Sequence, residues 1–268
     1  MHVLVGGASG FIGKHLARRL RDRGHKVTAI SRFEGEDTVT WQQLYWNQGI
    51  PEDVNAVVNL TGNRFMNWNS FWDRNDFTIV SSSAIQEWEI SRIKTAQMCV
   101  SYINERHKSG DPIDVYVQGS GYWYYHVNDE TQNNIWSEFD KGGEADLISK
   151  STKKWEESSK LPEDVPTRRV IIRTGNVLSP DSGLMKDYIV RSKCFIGGPI
   201  RKGGANPLNW VHMEDQVGII EHALVNQNVD GILNSVAPEL VDHAEFARLI
   251  SLQTKRPNWY TPSRLKME

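Results

Sequence analysis

A glycine-rich turn near the start of the chain restricts the fold more than any other feature. It follows an apolar run at residues 2–5, and its three glycines recur at three-residue spacing, at Gly7, Gly10 and Gly13. Beyond the turn, Ile12, Leu16 and Leu20 place apolar side chains on one helical face, and Gly24 ends the pattern. The segment therefore predicts a strand, a tight turn and a helix, because each glycine allows a backbone approach that a Cβ would block.

The same alternation continues through the first two-thirds of the 268 residues. Further strands are predicted at residues 26–30, 56–60, 114–118 and 169–173, and crossover helices at residues 84–104 and 145–160. Short apolar runs alternating with amphipathic segments are typical of the α/β class. Crossovers between parallel strands are right-handed, so the order predicts a doubly wound parallel sheet, the Rossmann fold.

The alternation breaks after residue 177, where glycine pairs occur at 197–198 and 203–204. We therefore predict a Rossmann domain over residues 1–177 and a small C-terminal substrate lobe over residues 178–268, interleaved with the end of the sheet. The later segments predict a strand at 210–213, a helix at 214–224, a strand at 232–236, and a last helix that reaches residue 252 after an Asp242/Glu245 capping box.

The glycine turn also predicts an anion site. A helix that begins near residue 11 directs unpaired N–H groups and its positive dipole end at the turn, which favours a phosphate. A turn of this kind between a first strand and a helix is typical of dinucleotide binding, and a turn without a ligand is the alternative. The predicted cofactor contacts here are Gly7, Ser9, Gly10, Phe11, Ile12 and Gly13.

The end of the second strand bears on the choice of cofactor. It carries Ser31 and Arg32, and no acid stands where an NAD-binding chain places one for the adenosine ribose. Both side chains can donate to a 2′-phosphate, so NADP(H) is favoured. The alternatives are a solvated arginine and a nearby acid, Glu34, Glu36 or Asp37, that turns back toward the ribose.

The ends of the third and fourth strands supply further candidates. Gly62 would let the backbone approach the cofactor closely, and a plain turn is an equal alternative. The predicted contacts from these ends are Leu60, Thr61, Gly62, Asn63 and Gly119.

Composition excludes several classes of partner. With 31 Lys and Arg against 33 Asp and Glu, and no long basic block, nucleic acid is not an expected partner. Mean hydropathy is −0.51 without an apolar run of spanning length or a leader, so neither membrane nor secretion is expected. Only two cysteines occur, and His212, Glu214 and Asp215 are better explained as the start of a helix than as metal ligands. An intracellular, cytoplasmic location without a metal is expected.

Together, the glycine turn, Asn59–Gly62, Gln118–Ser120 and Arg173–Leu178 resemble an extended short-chain dehydrogenase/reductase of the epimerase/dehydratase type, in its atypical branch. The resemblance covers nearly the whole chain. It implies an NADP(H)-binding Rossmann fold with oxidoreductase or epimerase activity on a small molecule, and leaves substrate and oligomeric state open. A fold resemblance does not by itself establish turnover.

The resemblance also implies a catalytic serine, tyrosine and lysine. Ser120 and Tyr124 match an S-x-x-x-Y pattern after the fourth strand, and they are the predicted catalytic residues. Aligning Trp155–Glu156 with the family places Ile148 and Thr152 where the helical tyrosine and lysine belong. Neither can move a proton to a carbonyl. The expected catalytic pair is therefore missing from the helix.

Two readings of the helix and of the aromatic run remain. A shift by one residue pairs Ser149 with Lys153, although a solvated lysine cluster explains these residues better. The run Gly121–Tyr125 either supplies Tyr124 or Tyr125 for proton transfer or packs across the cleft. The sequence accordingly predicts either an NADP(H)-dependent oxidoreductase or epimerase, or a non-catalytic NADP(H)-binding sensor or scaffold protein.

Overall fold

The computed structural model describes residues 1–63, 82–125, 134–144, 146–199 and 207–258. The strands are β1 His2–Gly6, β2 Lys26–Ser31, β3 Thr38–Thr40, β4 Ala56–Asn59, β5 Val115–Gly121, β6 Arg168–Thr174, β7 Asn176–Leu178, β8 Pro207–Leu208, β9 Trp210–His212, β10 Gly231–Ser235 and β11 Val241–Asp242. The helices are α1 Phe11–Asp22, α2 Trp41–Trp46, α3 Ser82–Lys108, α4 Leu147–Glu157, α5 Gly183–Lys193, α6 Met213–Val225 and α7 His243–Thr254, and one 3-10 turn covers Tyr122–Tyr124.

Seven of these strands form one parallel sheet in the order β3-β2-β1-β4-β5-β6-β10. The order reverses between β1 and β4, so β2 and β3 extend one side while β4 and the later strands extend the other. The predicted α/β class with a doubly wound parallel sheet is confirmed. The five predicted sheet strands are each present to within a few residues.

Each face of the sheet has its own apolar core, because side chains alternate along the strands. Val3 and Val5 pack with Leu16 and Leu20 of α1 and with α6 on one face. Leu4 packs on the opposite face, with α2, α3 and the apolar residues around them. The sheet is therefore covered by helices on both sides, as is usual for a parallel sheet.

Among the described residues, four strands and two helices were not predicted: β3, β7, β8, β11, α2 and α5. β3 has three residues and α2 has six, so neither shows a clear period. Thr40 begins α2 with a capping box: its side chain accepts from the Gln43 amide, and the Gln43 side chain accepts from the Thr40 amide. A threonine three residues before a glutamine is the sequence signal that was available.

The chain returns to the main sheet after leaving it. The boundary predicted after residue 177 falls within β7, yet α6 packs into the first core and β10 pairs with β6. The remaining later elements enclose a separate apolar cluster between α5 and α7, formed by Leu178, Tyr188, Leu208, Phe246, Ala247 and Ile250. The Asp242 side chain accepts from the Glu245 amide at the start of α7. The glycine pair at 203–204 lies outside the described residues, and so does Ala145, where the second predicted crossover helix was expected to begin.

None of the helices in the described part of the chain is both long enough and apolar enough to cross a bilayer.

Candidate cofactor and catalytic site

The glycine turn has the geometry that its sequence predicts. Gly7 has φ +78°, which favours glycine, and its carbonyl accepts from the Gly10 amide at 2.8 Å. A Cβ on Gly13 would lie 2.0 Å from the Gly7 oxygen, so only glycine lets α1 start this close to the turn. Gly7 also faces Leu60, whose carbonyl oxygen a Cβ on Gly7 would approach to 2.8 Å. The turn and the end of β4 are thus packed directly against each other.

The first turn of α1 is open to an anion. Gly10 is the N-cap, no side chain caps the helix, and no acid stands in its first turn. Ser9 and Gly10 are exposed, and the amides of Phe11, Ile12 and Gly13 are among those that a helix start leaves without helical partners. This arrangement fits a phosphate, because the donors and the helix dipole point the same way.

Arg32 lies exposed at the end of β2. Its guanidinium carbon is 5.9 Å from the Phe33 ring, and Ser31 Oγ accepts from the Phe33 amide at 3.2 Å. Asp37 instead lies 3.9 Å from Arg21, and across the described ranges no carboxylate forms an ion pair with Arg32. Because no acid in the described ranges competes for it, the Arg32 guanidinium is available for the predicted contact with a 2′-phosphate.

The ends of β4 and β5 lie against each other beside the turn. A Cβ on Gly119 would lie 3.3 Å from Leu60 Cδ2, which explains a small residue there. Gly62 also has a neighbour that was not predicted, since a Cβ there would lie 2.5 Å from the guanidinium carbon of Arg92. The Asn63 amide donates to Ser91 Oγ at 3.1 Å, and the carbonyl of Asn63 accepts from Arg92. The segment after Thr61 is therefore tied to α3.

Ser120 is buried, and its hydroxyl is hydrogen-bonded to Glu156, a residue to which the sequence analysis gave no role. Ser120 Oγ donates to Glu156 Oε1 at 2.6 Å. Arg173 holds both oxygens of that carboxylate, with Nε to Oε1 and Nη2 to Oε2 at 2.8 Å each. The Arg173 and Glu156 side chains are 2% and 8% exposed, so this is a buried bidentate ion pair.

The hydrogen bond to Glu156 fixes the direction in which the Ser120 hydroxyl donates. An ionised carboxylate only accepts hydrogen bonds, so the single hydroxyl hydrogen of Ser120 is directed at Glu156. The Oγ lone pairs remain, and they suit a substrate hydroxyl better than a carbonyl oxygen. In the geometry observed, Ser120 is therefore arranged to accept a hydrogen bond from a substrate rather than to donate one.

Arg173 also organises the two tyrosines that follow β5. Its Nη1 donates to Tyr125 Oη at 2.6 Å, and Tyr125 Oη lies 2.9 Å from Asn234 Oδ1 on β10. Burial raises the pKa of Tyr125 against the opposing effect of Arg173, which disfavours a role as a base. The Tyr124 ring lies under the guanidinium, 3.4 Å from its carbon, and in the described ranges its hydroxyl makes no hydrogen bond. Tyr124 is thus the better candidate of the two for proton transfer.

The helix that would carry the tyrosine and lysine is α4, and neither register supplies them. Thr152 is 1% exposed, and its hydroxyl donates to the Ile148 carbonyl at 2.8 Å. In the shifted register, Ser149 forms a capping box with Asp146, and Lys153 pairs with Glu144 at 2.9 Å. These residues stabilise the helix and its surroundings.

His212, Glu214 and Asp215 occupy the start of α6, as expected. His212 is the N-cap, and its Nδ1 accepts from the Glu214 amide at 3.3 Å. Glu214 and Asp215 are in the first turn, where the helix dipole favours acids.

Sequence reasoning missed Glu156 and Arg173 as parts of the site. Both were noted only as members of motifs. The available signal was one basic and one acidic residue, each next to apolar residues that are buried. Arg173 follows the apolar Val170–Ile172 of β6, and Glu156 follows the largely buried Trp155 of α4. Opposite charges on adjoining buried elements are expected to pair.

Comparisons with known proteins show which family the sequence is similar to. The NAD dependent epimerase/dehydratase family matches residues 3–78. The epimerase family protein SDR39U1 of Bos taurus is 36% identical over 265 residues, covering 96% of this chain and 82% of the relative. The Homo sapiens protein of that name is 35% identical over 257 residues, covering 93% and 79%.

Solved structures give the same picture. Human SDR39U1 (isoform 2), solved with NADPH, superposes with a TM-score of 0.85 at 34% identity, covering 97% of this chain and 82% of that one. A nucleoside-diphosphate sugar epimerase from Corynebacterium glutamicum superposes with a TM-score of 0.73 at 22% identity, covering 98% and 53%, which shows a shared fold alone.

Proposed function

This chain belongs to the epimerase family that includes the SDR39U1 proteins, and we propose that it is an NADP(H)-dependent oxidoreductase or epimerase acting on a small carbonyl or hydroxyl compound. The observation that carries the chemical part is the Ser120–Glu156 hydrogen bond of 2.6 Å at the carboxyl end of β5. The cofactor part is supported by the uncapped start of α1 and by Arg32, and by the NADPH in the human relative.

Each part of the predicted cofactor site has a role in this proposal. The amides at the start of α1 would hold the cofactor's diphosphate, and Ser31 and Arg32 would donate to the 2′-phosphate. Leu60, Thr61 and Gly119 form the surface beside the turn. The bound nicotinamide would supply or accept a hydride, and the remaining steps belong to side chains of this chain.

Ser120 and Glu156 would then move the proton. When a substrate alcohol is oxidised, its carbon gives up the hydride and its hydroxyl proton passes to Ser120 Oγ as the serine hydrogen passes to Glu156 Oε1. Reduction of a carbonyl runs the same transfers backwards, so charge and protons balance in both directions. The Tyr124 ring packs against the Arg173 guanidinium, so Tyr124 lies next to the same group of residues, and its hydroxyl makes no hydrogen bond in the described ranges.

The test is NADPH oxidation with a panel of small aldehydes and ketones, comparing the unmodified chain with Ser120→Ala. We expect turnover with at least one compound, and a fall of about a hundredfold or more in Ser120→Ala, the usual contribution of acid–base groups. Ser109→Ala, a change at a serine that caps the end of α3, is the matched control. Turnover that is equal in Ser120→Ala would remove the serine from the chemistry.

One observation favours the non-catalytic alternative. Ile148 and Thr152 occupy the helical positions at which the family resemblance implies a tyrosine and a lysine, and the Thr152 hydroxyl is used within α4. An NADP(H)-binding sensor would bind NADPH in a titration followed by tryptophan fluorescence and would oxidise it with no member of the panel.

A further inference from the structure

Arg92 is a charged side chain that has no role in the proposed cofactor site. It also takes no part in the hydrogen-bonded group of Ser120, Glu156 and Arg173, which we call the Ser120 cluster. It lies on α3, and its guanidinium is held between two indole rings, with its carbon 4.3 Å from the Trp88 centroid and 5.0 Å from the Trp155 centroid. The two rings themselves meet edge to face at 6.0 Å. Aromatic faces stabilise a cation at such distances and also fix its plane.

The charge of Arg92 is not balanced by an acid. Nη1 donates to the carbonyls of Asn63 at 2.9 Å and Trp88 at 3.3 Å, and the buried Nε has no hydrogen-bond partner. Glu89, on the preceding turn of α3, is paired with Lys154 at 2.8 Å. In the portion of the chain that the structure describes, no carboxylate lies within ion-pair distance of Arg92.

Arg92 nevertheless remains a cation at neutral pH. Burial lowers its pKa to about 9, which still leaves the guanidinium protonated at pH 7. A buried and unpaired charge costs free energy, and proteins usually pair it or use it. A buried guanidinium without a carboxylate partner can bind the anionic group of a ligand.

The position of Arg92 is where a substrate is expected. Its guanidinium packs on Gly62, just beyond the carboxyl end of β4. Open α/β sheets bind ligands outside the carboxyl ends of their strands. Trp155, which stacks on Arg92, directly precedes Glu156, which accepts from Ser120. The same turn of α4 therefore supports both Arg92 and the serine.

We propose that Arg92 binds an anionic group of the substrate, a carboxylate or a phosphate, beside the Ser120 cluster. The inference rests on the proposed function, because it names the substrate class for the same cleft: a carbonyl or hydroxyl compound that carries a negative charge. Nη1 already donates to two carbonyls and Nε is buried, so Nη2 is the nitrogen that would donate to an oxygen of such a group, and the two indoles fix its position.

The test measures binding rather than turnover. Benzoate, inorganic phosphate and neutral benzamide are titrated into the full-length, NADPH-loaded protein by calorimetry. We expect one of the two anions to bind and benzamide not to bind. Arg92→Met is expected to weaken the anion by at least about tenfold, and Arg92→Lys, which keeps the charge but loses the planar fork, by less. Lys94→Met removes an exposed charge from the same helix and should leave the affinity unchanged.

Three results would overturn the site: neither anion binds the unmodified protein, the anion binds Arg92→Met equally well, or Arg92→Met loses NADPH affinity by the same factor as anion affinity. The last would show that Arg92 serves the cofactor's phosphates. If Arg92→Met does not fold, the comparison with Arg92→Lys decides.

The inference and the proposed function fail separately. Arg92-dependent anion binding without reduction of any carbonyl compound rejects the function and keeps the anion site. Ser120-dependent reduction of neutral compounds only, with no anion bound, keeps the function and rejects the site.

Discussion

Arg32 is the side chain on which the choice between the two nicotinamide cofactors is expected to depend. It stands exposed at the end of β2, and no acid pairs with it in the described ranges. Arg32→Ala should weaken NADPH binding by about ten- to a hundredfold, the equivalent of one charge-assisted contact. NADH affinity should be unchanged, because that cofactor lacks the 2′-phosphate. Both affinities are measured by titration, with exposed Arg18→Ala as the control, and an unaltered NADPH affinity would rule Arg32 out.

The buried pair of Arg173 and Glu156 makes a second prediction. Glu156→Gln leaves the guanidinium without a counter-charge and should lower the free energy of unfolding by about 3–5 kcal/mol. Adding Arg173→Met to that variant removes the stranded charge and should recover much of the loss. Urea unfolding of the two single variants and the double variant measures this. A double variant that is no more stable than Glu156→Gln would contradict the account.

Sequence could place Ser120 at the end of a strand, since that needs only the strand pattern and the family resemblance. It could not show where the hydroxyl hydrogen points, because that depends on Glu156, 36 positions away along the chain. The contact between Gly62 and Arg92 was likewise hidden, since Arg92 reaches Gly62 only after α3 has packed beside β4.

Among the elements, α1 depends most on a single glycine. A Cβ on Gly13 would lie 2.0 Å from the Gly7 oxygen, so Gly13→Ala must push the helix away from the turn. We expect a loss of about 1–3 kcal/mol in unfolding free energy, as for overpacked sites, together with weaker NADPH binding.

Gly218 offers the matched control for that substitution. It lies within α6, and a Cβ there would meet nothing closer than Arg19 Nη2 at 3.7 Å. Gly218→Ala should stabilise the protein by up to about 1 kcal/mol, because alanine favours a helix. Thermal unfolding compares the two variants, and equal losses would show that contact with the turn is not the cause.

Elements with a sustained period were predictable, whereas the short ones were not, and neither was α5, an eleven-residue helix whose apolar residues show only a weak helical period. β5 and β6 read as buried apolar runs, and α4 shows its capping acid. β3 and α2 are too short to show a period, and their place was set by the β2–β3 pairing of Ala29 with Thr38. β10 was placed in the lobe because local pattern does not reveal which sheet a strand joins.

For the molecule as a whole, acid should weaken the contact that ties β1 and β2 to the segment before β4. Lys26, and then His2, hold the pKa of Asp53 at about 2, below its ordinary 3.8. A carboxyl whose pKa is lowered by folding stabilises the protein fully above its unfolded pKa and loses that effect as pH falls toward 2.

Urea unfolding between pH 2 and 6 measures the effect of Asp53. Asp53→Asn should be less stable than the unmodified chain at pH 6, and the difference should shrink as the pH approaches 2. Asp22→Asn, at an exposed position near the end of α1, is the control. A difference that stays constant across this range would show that Asp53 ionisation does not contribute.

The order in which the strands occur along the chain has a consequence for biosynthesis. The first core needs α6 and β10, and both come later in the chain than β1, β4, β5 and β6. A ribosome releases the chain from its N-terminal end, so β1, β4 and β5 emerge long before the partners that cover and extend them. The apolar faces of these strands must therefore stay uncovered on the nascent protein until α6 and β10 have been translated.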